Sequence, residues 1–367
     1  MIKSAAIYPE VISDKYLKQI KEYISLLDSY NYNEIFTTVH LPELSFEIQL
    51  ECLKKIITEV QDSKLDIVTD VGGKYVKDLI NSDIQGIDYI RLDCNFELSE
   101  VRELYSKLHL KGFIINASTY NEKEFTEFLK ELRNIDEKME IRCCHNFYVK
   151  EESGLDDIFA IKEDMMIKKH NLPVYYCIPS HNNPRGPLYL GLCTLEKHRH
   201  MTLDDIVADL YLNYEADGYL LSDMWFSKEE LDLIDKTLNS LNVKLTNPVF
   251  IDIRLDEDIT EAEKDIVLKE HVFRHDSPYN LLRSSSSRRM AEFANELPKC
   301  NTVKRKRGAI TIDNILNRRY SGELSIVLDE RGADDRVNVV GYVDEKDIVK
   351  LRRYKEGYRY QFIVHKL

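Results

Sequence analysis

Over the first two thirds of the chain, short apolar runs alternate with stretches in which apolar residues recur every three or four positions. Each of eight runs closes on a polar or charged cluster: Tyr8-Pro9-Glu10, Thr37-Thr38-Val39-His40, Thr69-Asp70, Arg91-Leu92-Asp93, Asn116-Ala117-Ser118, His145-Asn146-Phe147-Tyr148, Pro179-Ser180-His181 and Ser222-Asp223. Between runs, Tyr16, Ile20, Tyr23, Ile24 and Leu27 trace one amphipathic helix, and Leu50, Leu53, Ile56, Ile57 and Val60 another. The same spacing recurs over 101–108, 125–132, 158–167, 206–212 and 231–241, and a short third helix is predicted near 75–80. Strand and helix in strict alternation predict parallel strands joined by right-handed crossovers. The fold class is therefore α/β, with a (β/α)8 TIM-type barrel. Chemistry in such barrels gathers at the carboxyl ends of the strands, which makes the eight clusters the candidate site.

Past Leu241 the pattern changes. Asn247-Pro248 interrupts the chain, and residues 249–253, 309–312, 324–328, 337–340 and 360–364 read as strands between Gly- and Asp-rich turns. Two domains are predicted, a barrel over 1–247 and a small β-rich domain over 248–367, since 367 residues exceed what one such barrel needs. Ser284 to Ser287 reads either as a flexible loop or as a set of hydroxyls presented to an anion beside Arg283 and Arg288.

Charge and composition narrow the function. A net charge of −13 excludes general nucleic-acid binding, which draws its affinity from Lys and Arg facing phosphates. A small anion remains compatible, because residues 301–320 carry Lys304, Arg305, Lys306, Arg307, Arg318 and Arg319 against Asp313 alone, a local net charge of +5. No apolar run approaches the ~20 residues that a membrane span requires. The start of the chain runs straight into the first strand without a secretion signal, which predicts a cytoplasmic protein. Seven cysteines, none in Cys-x-x-Cys spacing, predict reduced thiols, and the adjacent Cys143 and Cys144 predict packing rather than a metal pair. Homo-oligomerisation is left open.

Four carboxylates end strands on the predicted active face: Glu10, Asp70, Asp93 and Asp223. Glycoside cleavage commonly uses two such groups, one giving a proton to the departing oxygen and one charged to attack or stabilise the anomeric carbon. Each also has a structural reading, as a partner for Arg91 or a helix cap. His145, Asn146 and Tyr148 form a dense set of donors and a stacking ring suited to a sugar. Arg185, in a Pro/Gly-shaped loop, suits a phosphate or carboxylate. His40, Asp70, His145, His181 and Asp223 also permit a barrel metal site, but the first strand carries no His-x-His pair and none of these residues stands in His-x-x-x-His spacing, and no metal or cofactor is predicted.

Several of these motifs together resemble the bacterial 6-phospho-N-acetylmuramidase family. They are Arg91-Leu92-Asp93, Asn116-Ala117-Ser118-Thr119, Cys144-His145-Asn146-Phe147-Tyr148, Arg185-Gly186-Pro187, Thr194-Leu195-Glu196-Lys197-His198-Arg199, Ser222-Asp223, Thr311-Ile312-Asp313-Asn314, Tyr320-Ser321-Gly322-Glu323-Leu324 and Asp335-Arg336-Val337-Asn338-Val339. The resemblance implies a cytosolic glycosidase of cell-wall recycling, with an N-terminal barrel and a cyclophilin-like β-barrel at the C-terminus. It implies cleavage of the β-1,4 bond of 6-phospho-N-acetylmuramyl-N-acetylglucosamine. The alternatives are a phosphosugar-binding protein without catalysis and a glycosidase for another 6-phosphorylated disaccharide.

On that reading Asp93 and Asp223, with Glu10 as third candidate, supply the acid and the stabilising carboxylate. Asn116, His145, Asn146 and Tyr148 hold the sugar, with Asp70 and Arg91 beside them. Arg185, Lys150, Arg283 and Arg288 face the phosphate and the lactyl carboxylate. Where the family often reads Tyr-Pro-Arg-Pro-Glu-Thr-Gly, this chain reads Tyr148-Val149-Lys150-Glu151-Glu152-Ser153-Gly154. Lysine keeps the charge there but not the two-pronged fork.

Overall fold

The computed structural model describes residues 1–93, 96–242, 246–290, 297–351, 353–354 and 357–365, and it divides into two compact units, Met1–Asp235 and Lys236–Leu367. Cys94 lies outside the described residues. In the first unit β1 (Ile2–Ala6), β2 (Glu34–Thr38), β3 (Asp66–Val71), β4 (Tyr89–Leu92), β5 (Gly112–Asn116), β6 (Glu140–Cys144), β7 (Val174–Ile178) and β8 (Gly218–Leu221) pair in chain order to form a closed barrel. Every pair is parallel, and β8 closes on β1 through Ala5 and Leu221. This is the (β/α)8 TIM-type barrel expected from the apolar runs, and each strand stops within a few residues of its polar cluster.

The connecting helices are α1 (Asp14–Ser29), α2 (Phe46–Val60), α3 (Val76–Asn81), α4 (Leu98–Lys107), α5 (Glu122–Ile135), α6 (Asp157–Lys168), α7 (Leu203–Asn213) and α8 (Lys228–Asn242). Helix starts are marked locally: Ser13 accepts the Tyr16 N–H at α1, Asp156 accepts that of Phe159 at α6, and Asn121 with Glu124 forms a reciprocal capping box at α5. The buried stripe of α1 is Tyr16, Ile20, Tyr23, Ile24 and Leu27, the set predicted from spacing. In α2 the stripe is rotated. Gln49 and Cys52 are buried where Leu50 and Ile57 were expected, because the Gln49 amide bonds both the N–H and the carbonyl of Leu41 and the carbonyl of Leu44. Three satisfied polar contacts remove the desolvation cost that would otherwise keep an amide outside.

Side chains fill the barrel. Ala6, Tyr8, Phe36, Val68, Tyr89, Ile114, Cys144, Tyr175, Cys177 and Leu220 share one buried cluster, with the Tyr8 and Phe36 rings edge to face. Cys143 and Cys144 are buried as packing groups, and burial pushes both thiols up in pKa.

The second unit contains β9 (Val249–Leu255), α9 (Glu261–Val267), β10 (His271–Val272), β11 (Leu281–Arg283), α10 (Ser287–Met290), β12 (Ala309–Asp313), β13 (Leu324–Val327), β14 (Val337–Val343), α11 (Glu345–Leu351) and β15 (Arg359–Val364). Its seven strands form one curled sheet in the order β10-β15-β9-β14-β12-β13-β11. Pairing is antiparallel except between β15 and β9. A core of Ile251, Ile253, Val267, Ile310, Ile312, Leu324, Ile326, Val340, Tyr360 and Phe362 underlies it. The serine run is part of this architecture rather than a display of hydroxyls. Ser284 Oγ bonds His271 Nδ1 at 3.0 Å and accepts the N–H groups of Ser286 and Ser287, while Ser287 Oγ accepts that of Leu324. No helix among the described residues is long and apolar enough to cross a membrane.

Candidate active site

The ends of β3 to β6 build a polar floor at one mouth of the barrel. Strand register sets Asp70 opposite Arg91, and Arg91 Nη1 reaches Asp70 Oδ1 at 3.0 Å and Asp93 Oδ1 at 3.1 Å. Arg91 Nη2 donates to Asn146 Oδ1. The Asn116 amide closes the ring, donating to Asp93 Oδ1 at 2.9 Å and to Asn146 Oδ1 at 3.0 Å. Burial works against the Arg91 charge, but Asp70 foremost, with Cys144 and Asp93, outweighs it and raises the guanidinium pKa. Burial likewise pushes the Asp70 carboxyl up, opposed by Arg91 and by His40, whose Nε2 stands 3.6 Å away. Arg91 and Asp70 are nearly sealed, whereas the Asp93 side chain keeps 31% of its exposure and so faces the mouth. Two carboxylates share one guanidinium nitrogen, and only one of them meets solvent.

A second chain of polar groups runs inward beside this floor. Ser118, just past β5, has its N–H held by Asn116 Oδ1, and its Oγ lies 3.0 Å from His145 Nδ1. His145 is fully buried, and its Nε2 meets Asp164 Oδ1 of α6 at 3.0 Å. The Tyr176 hydroxyl of β7 donates to the other Asp164 oxygen at 2.5 Å, and its ring lies against the imidazole. Outward, Ser118 Oγ accepts the Asn146 N–H at 3.2 Å, and Tyr148 lies half-buried two residues further on. Burial raises the Tyr148 pKa, with Ser118 opposing.

The loop after β7 is pinned from two sides. Asp223 is fully buried and accepts three backbone N–H groups, from Ser180 at 2.8 Å, Leu192 at 3.1 Å and Arg185 at 2.7 Å. Burial raises its pKa, and those three amides with the Arg185 charge oppose the shift. Glu230 of α8 accepts from Ser180 Oγ and from the N–H groups of His181, Asn182 and Ser227. Arg185 itself lies with its guanidinium 4.0 Å from the centre of the Tyr8 ring. Arg199 joins the β6 and β7 loops. It pairs with Glu196 at 2.7 Å and donates to the carbonyls of Tyr148, Lys150, Leu190 and Gly191.

Asp70, Arg91, Asp93, Asn116 and Asn146 are therefore brought into one network, with His145 beside it through Ser118 and Tyr148 just beyond Asn146 in the chain. Arg185 and Asp223 meet on the β7 loop. Glu10 and Lys150 are exposed, with the Lys150 carbonyl taken by Arg199. Arg283 and Arg288 belong to the second unit, where their Nε atoms lie 2.6 Å and 3.1 Å from the nearly buried Glu323, which also meets Arg274. Among the described residues no group of three or more His, Cys, Asp or Glu is arranged to hold a metal ion.

Sequence reasoning assigned no role to Ser118, Asp164, Tyr176, Arg199 or Glu230. Asp164 and Glu230 sit on helices predicted only as outer amphipathic faces. A signal existed for Asp164, an acid on the helix that directly follows the His145 strand, but spacing alone does not turn it inward.

A family model described as 6-phospho-N-acetylmuramidase, N-terminal, matches residues 5–236, and one described as 6-phospho-N-acetylmuramidase, C-terminal, matches residues 249–363. Among solved structures, an uncharacterized protein of B. cereus is 24% identical, with 99% of each chain covered and a TM-score of 0.59. A conserved protein of Enterococcus faecalis with an unknown function is 22% identical, with 100% of this chain and 97% of that chain covered and a TM-score of 0.59. These two likenesses speak for the fold. No curated protein matches the chain.

Proposed function

Because the chain belongs to the 6-phospho-N-acetylmuramidase family, we propose that it is a cytosolic glycoside hydrolase that splits 6-phospho-N-acetylmuramyl-N-acetylglucosamine in peptidoglycan recycling. The products are N-acetylmuramic acid 6-phosphate and N-acetylglucosamine. The observation that carries this reading is the Asp70–Arg91–Asp93 cluster with Asn116 and Asn146 at the barrel mouth. Asp93 reaches solvent from a fixed position and suits the group that gives its proton to the departing oxygen. Once ionised it is met by the guanidinium and the amide already donating to it, which stabilise the charge left behind. Asp70, Arg91, Asn116 and Asn146 hold the floor against which the sugar lies.

Arg185 is the cation best fixed for an anionic sugar, because its backbone is tied to Asp223 and its side chain to Tyr8. It suits the phosphate or the lactyl carboxylate, with Lys150 as a second, more mobile point charge. Asp223 fits the role of holding the loop that carries Arg185. The 2-acetamido carbonyl of the substrate offers a nucleophile of its own, an accepted exception to the two-carboxylate scheme.

Incubating the protein with the phosphorylated disaccharide and assaying free N-acetylglucosamine tests the reading. Release that requires the 6-phosphate is the expected result. Tight binding without release would make the protein a phosphosugar binder, and cleavage of other 6-phosphorylated disaccharides at equal rate would remove the muramyl assignment.

A further inference from the structure

We infer that the second unit carries an oxyanion site of its own, in which Arg274, Arg283, Arg288 and Arg319, gathered around Glu323 and Tyr320, take a phosphate group. This inference does not depend on the glycosidase reading. The chain brings the residues together in steps. Arg274, just past β10, donates its backbone N–H to the Arg283 carbonyl on β11 at 2.8 Å. Register sets Arg283 opposite Ser325, two residues after Glu323. Ser287, which opens α10, accepts the Leu324 N–H at 2.9 Å, and Arg288 follows it directly. Tyr320 ends the turn Ile315–Tyr320, and its carbonyl accepts the Glu323 N–H at 2.9 Å. Inside that turn Arg318 takes φ 52° and ψ −116°, a conformation that strains any residue with a Cβ and persists only where the surroundings impose it.

Glu323 is nearly buried and anchors the cluster. Its Oε1 accepts the Arg283 Nε–H at 2.6 Å. Its Oε2 stands 3.1 Å from Arg288 Nε and 3.7 Å from Arg274 Nη1 but receives a directed hydrogen bond from neither. The guanidinium groups of Arg288 and Arg319 lie 5.2 Å and 5.0 Å from the centre of the Tyr320 ring, and Arg319 Nη2 donates to the Tyr320 hydroxyl at 3.1 Å. Arg274 also pairs with Asp276 through Nε and Nη2. Four guanidinium groups against Glu323 and Asp276 leave a local charge of +2, on a chain whose net charge is −13. Asp313 subtracts little from it below about pH 7, where burial first and Glu323 next keep its carboxyl protonated. The Nη groups of Arg283 and Arg288 have no hydrogen-bond partner among the described residues, and both side chains are partly open to solvent. Like charges held this close repel, and one buried carboxylate cannot answer them all. A tetrahedral dianion can, because its oxygens accept from several planar forks at once. With the Nε edges fixed by Glu323 and two of the faces by Tyr320, the terminal Nη edges are preorganised, so little side-chain freedom is lost on binding.

Inorganic phosphate is the probe, titrated into the full chain carrying Arg185→Ala so that the barrel cation takes no part. In 1H–15N spectra of arginine-labelled protein the Nε–H signals of Arg283 and Arg288 should move and saturate together. Arg288→Gln and Arg319→Gln, each added to that parent, remove one fork and leave Glu323 in place. Each should weaken phosphate about tenfold by calorimetry, the worth of one charge-assisted contact, with the melting temperature in the absence of phosphate little changed. Repeating the titration with N-acetylglucosamine 6-phosphate separates the two sources of the anion. Tighter binding than inorganic phosphate makes a phosphosugar the occupant, equal binding makes it free phosphate, and both keep the site. Nε–H signals of Arg283 and Arg288 that stay fixed throughout, or phosphate affinity equal to the parent in both glutamine variants, overturn it.

Discussion

Asp70 and Arg91 are register partners on β3 and β4, and their side chains meet at 3.0 Å almost out of contact with water. The pair is fixed by strand pairing rather than by a loop, so its geometry is as rigid as the barrel. Arg91 also holds Asp93 and Asn146, which makes it the hub of the floor.

Removing that hub takes the guanidinium from a buried carboxylate and leaves it only His40, 3.6 Å away. Arg91→Ala should destabilise the protein by about 3–5 kcal/mol, the usual cost of breaking a buried ion pair from one side. Urea unfolding measures this. Arg91→Lys should be destabilised as well, because a point charge cannot serve Asp70, Asp93 and Asn146 together. A midpoint equal to wild type in both variants would show that the pair does not hold the fold.

Asp93→Asn keeps the shape of the side chain and removes its transferable proton. Hydrolysis of the phosphorylated disaccharide should fall by about 10²–10⁴-fold, in line with loss of a general acid. Binding of the substrate, read by calorimetry, and the melting temperature should change little. Full turnover in this variant would reassign the acid.

Asp223 gives the opposite expectation. Replacing it by Ala leaves three buried backbone N–H groups without their acceptor, each costing about 1–3 kcal/mol unless the loop relaxes. Hydrogen exchange should quicken at Ser180, Arg185 and Leu192. KM for the phosphorylated substrate should rise with the loss of a fixed Arg185, and kcat should fall less than in Asp93→Asn. If kcat falls as far as in Asp93→Asn while exchange is unchanged, Asp223 is a reacting group and not a loop anchor.

In the second unit, burial first and the Glu323 charge next raise the Asp313 carboxyl to about 7, with Asn317 opposing from 2.6 Å. The folded form thus prefers Asp313 protonated, while the unfolded chain ionises it near the ordinary aspartate value. Its contribution to stability is fully present at low pH, below the unfolded pKa, and is lost as pH rises through about 7. Asp313→Asn should flatten the fall in stability between about pH 4 and pH 7, read by denaturant melts across that window. A slope identical to wild type would show that Asp313 does not carry it.

The barrel was legible because its strands are short apolar runs and its helices carry a 3.6-residue period, two signals that local sequence contains. The stripe of α1 is the clear case. Gln49 shows where that logic stops: an amide reads as surface until its partners on Leu41 and Leu44 are known. In the second unit β10 and β11 are two and three residues long, too short for any periodicity, although Thr260 and Glu263 do spell the capping box that starts α9. The strand-end rule pointed to Asp70, Arg91, Asp93, Asn116 and Asn146 because the fold itself gathers them. It could not show that Asp223 faces amides, that Arg283 and Arg288 are drawn to Glu323, or that Asp164 turns towards His145, since each depends on residues distant in the chain.

β15, Arg359–Val364, lies between β10 and β9 and bonds to both. The sheet of the second unit thus depends on a strand more than a hundred residues downstream of β9. On the ribosome β9 emerges more than a hundred residues before its parallel neighbour, with its edge bare until then. Newly made chains that stall or are cut between β9 and β15 would expose a strand edge able to recruit other chains.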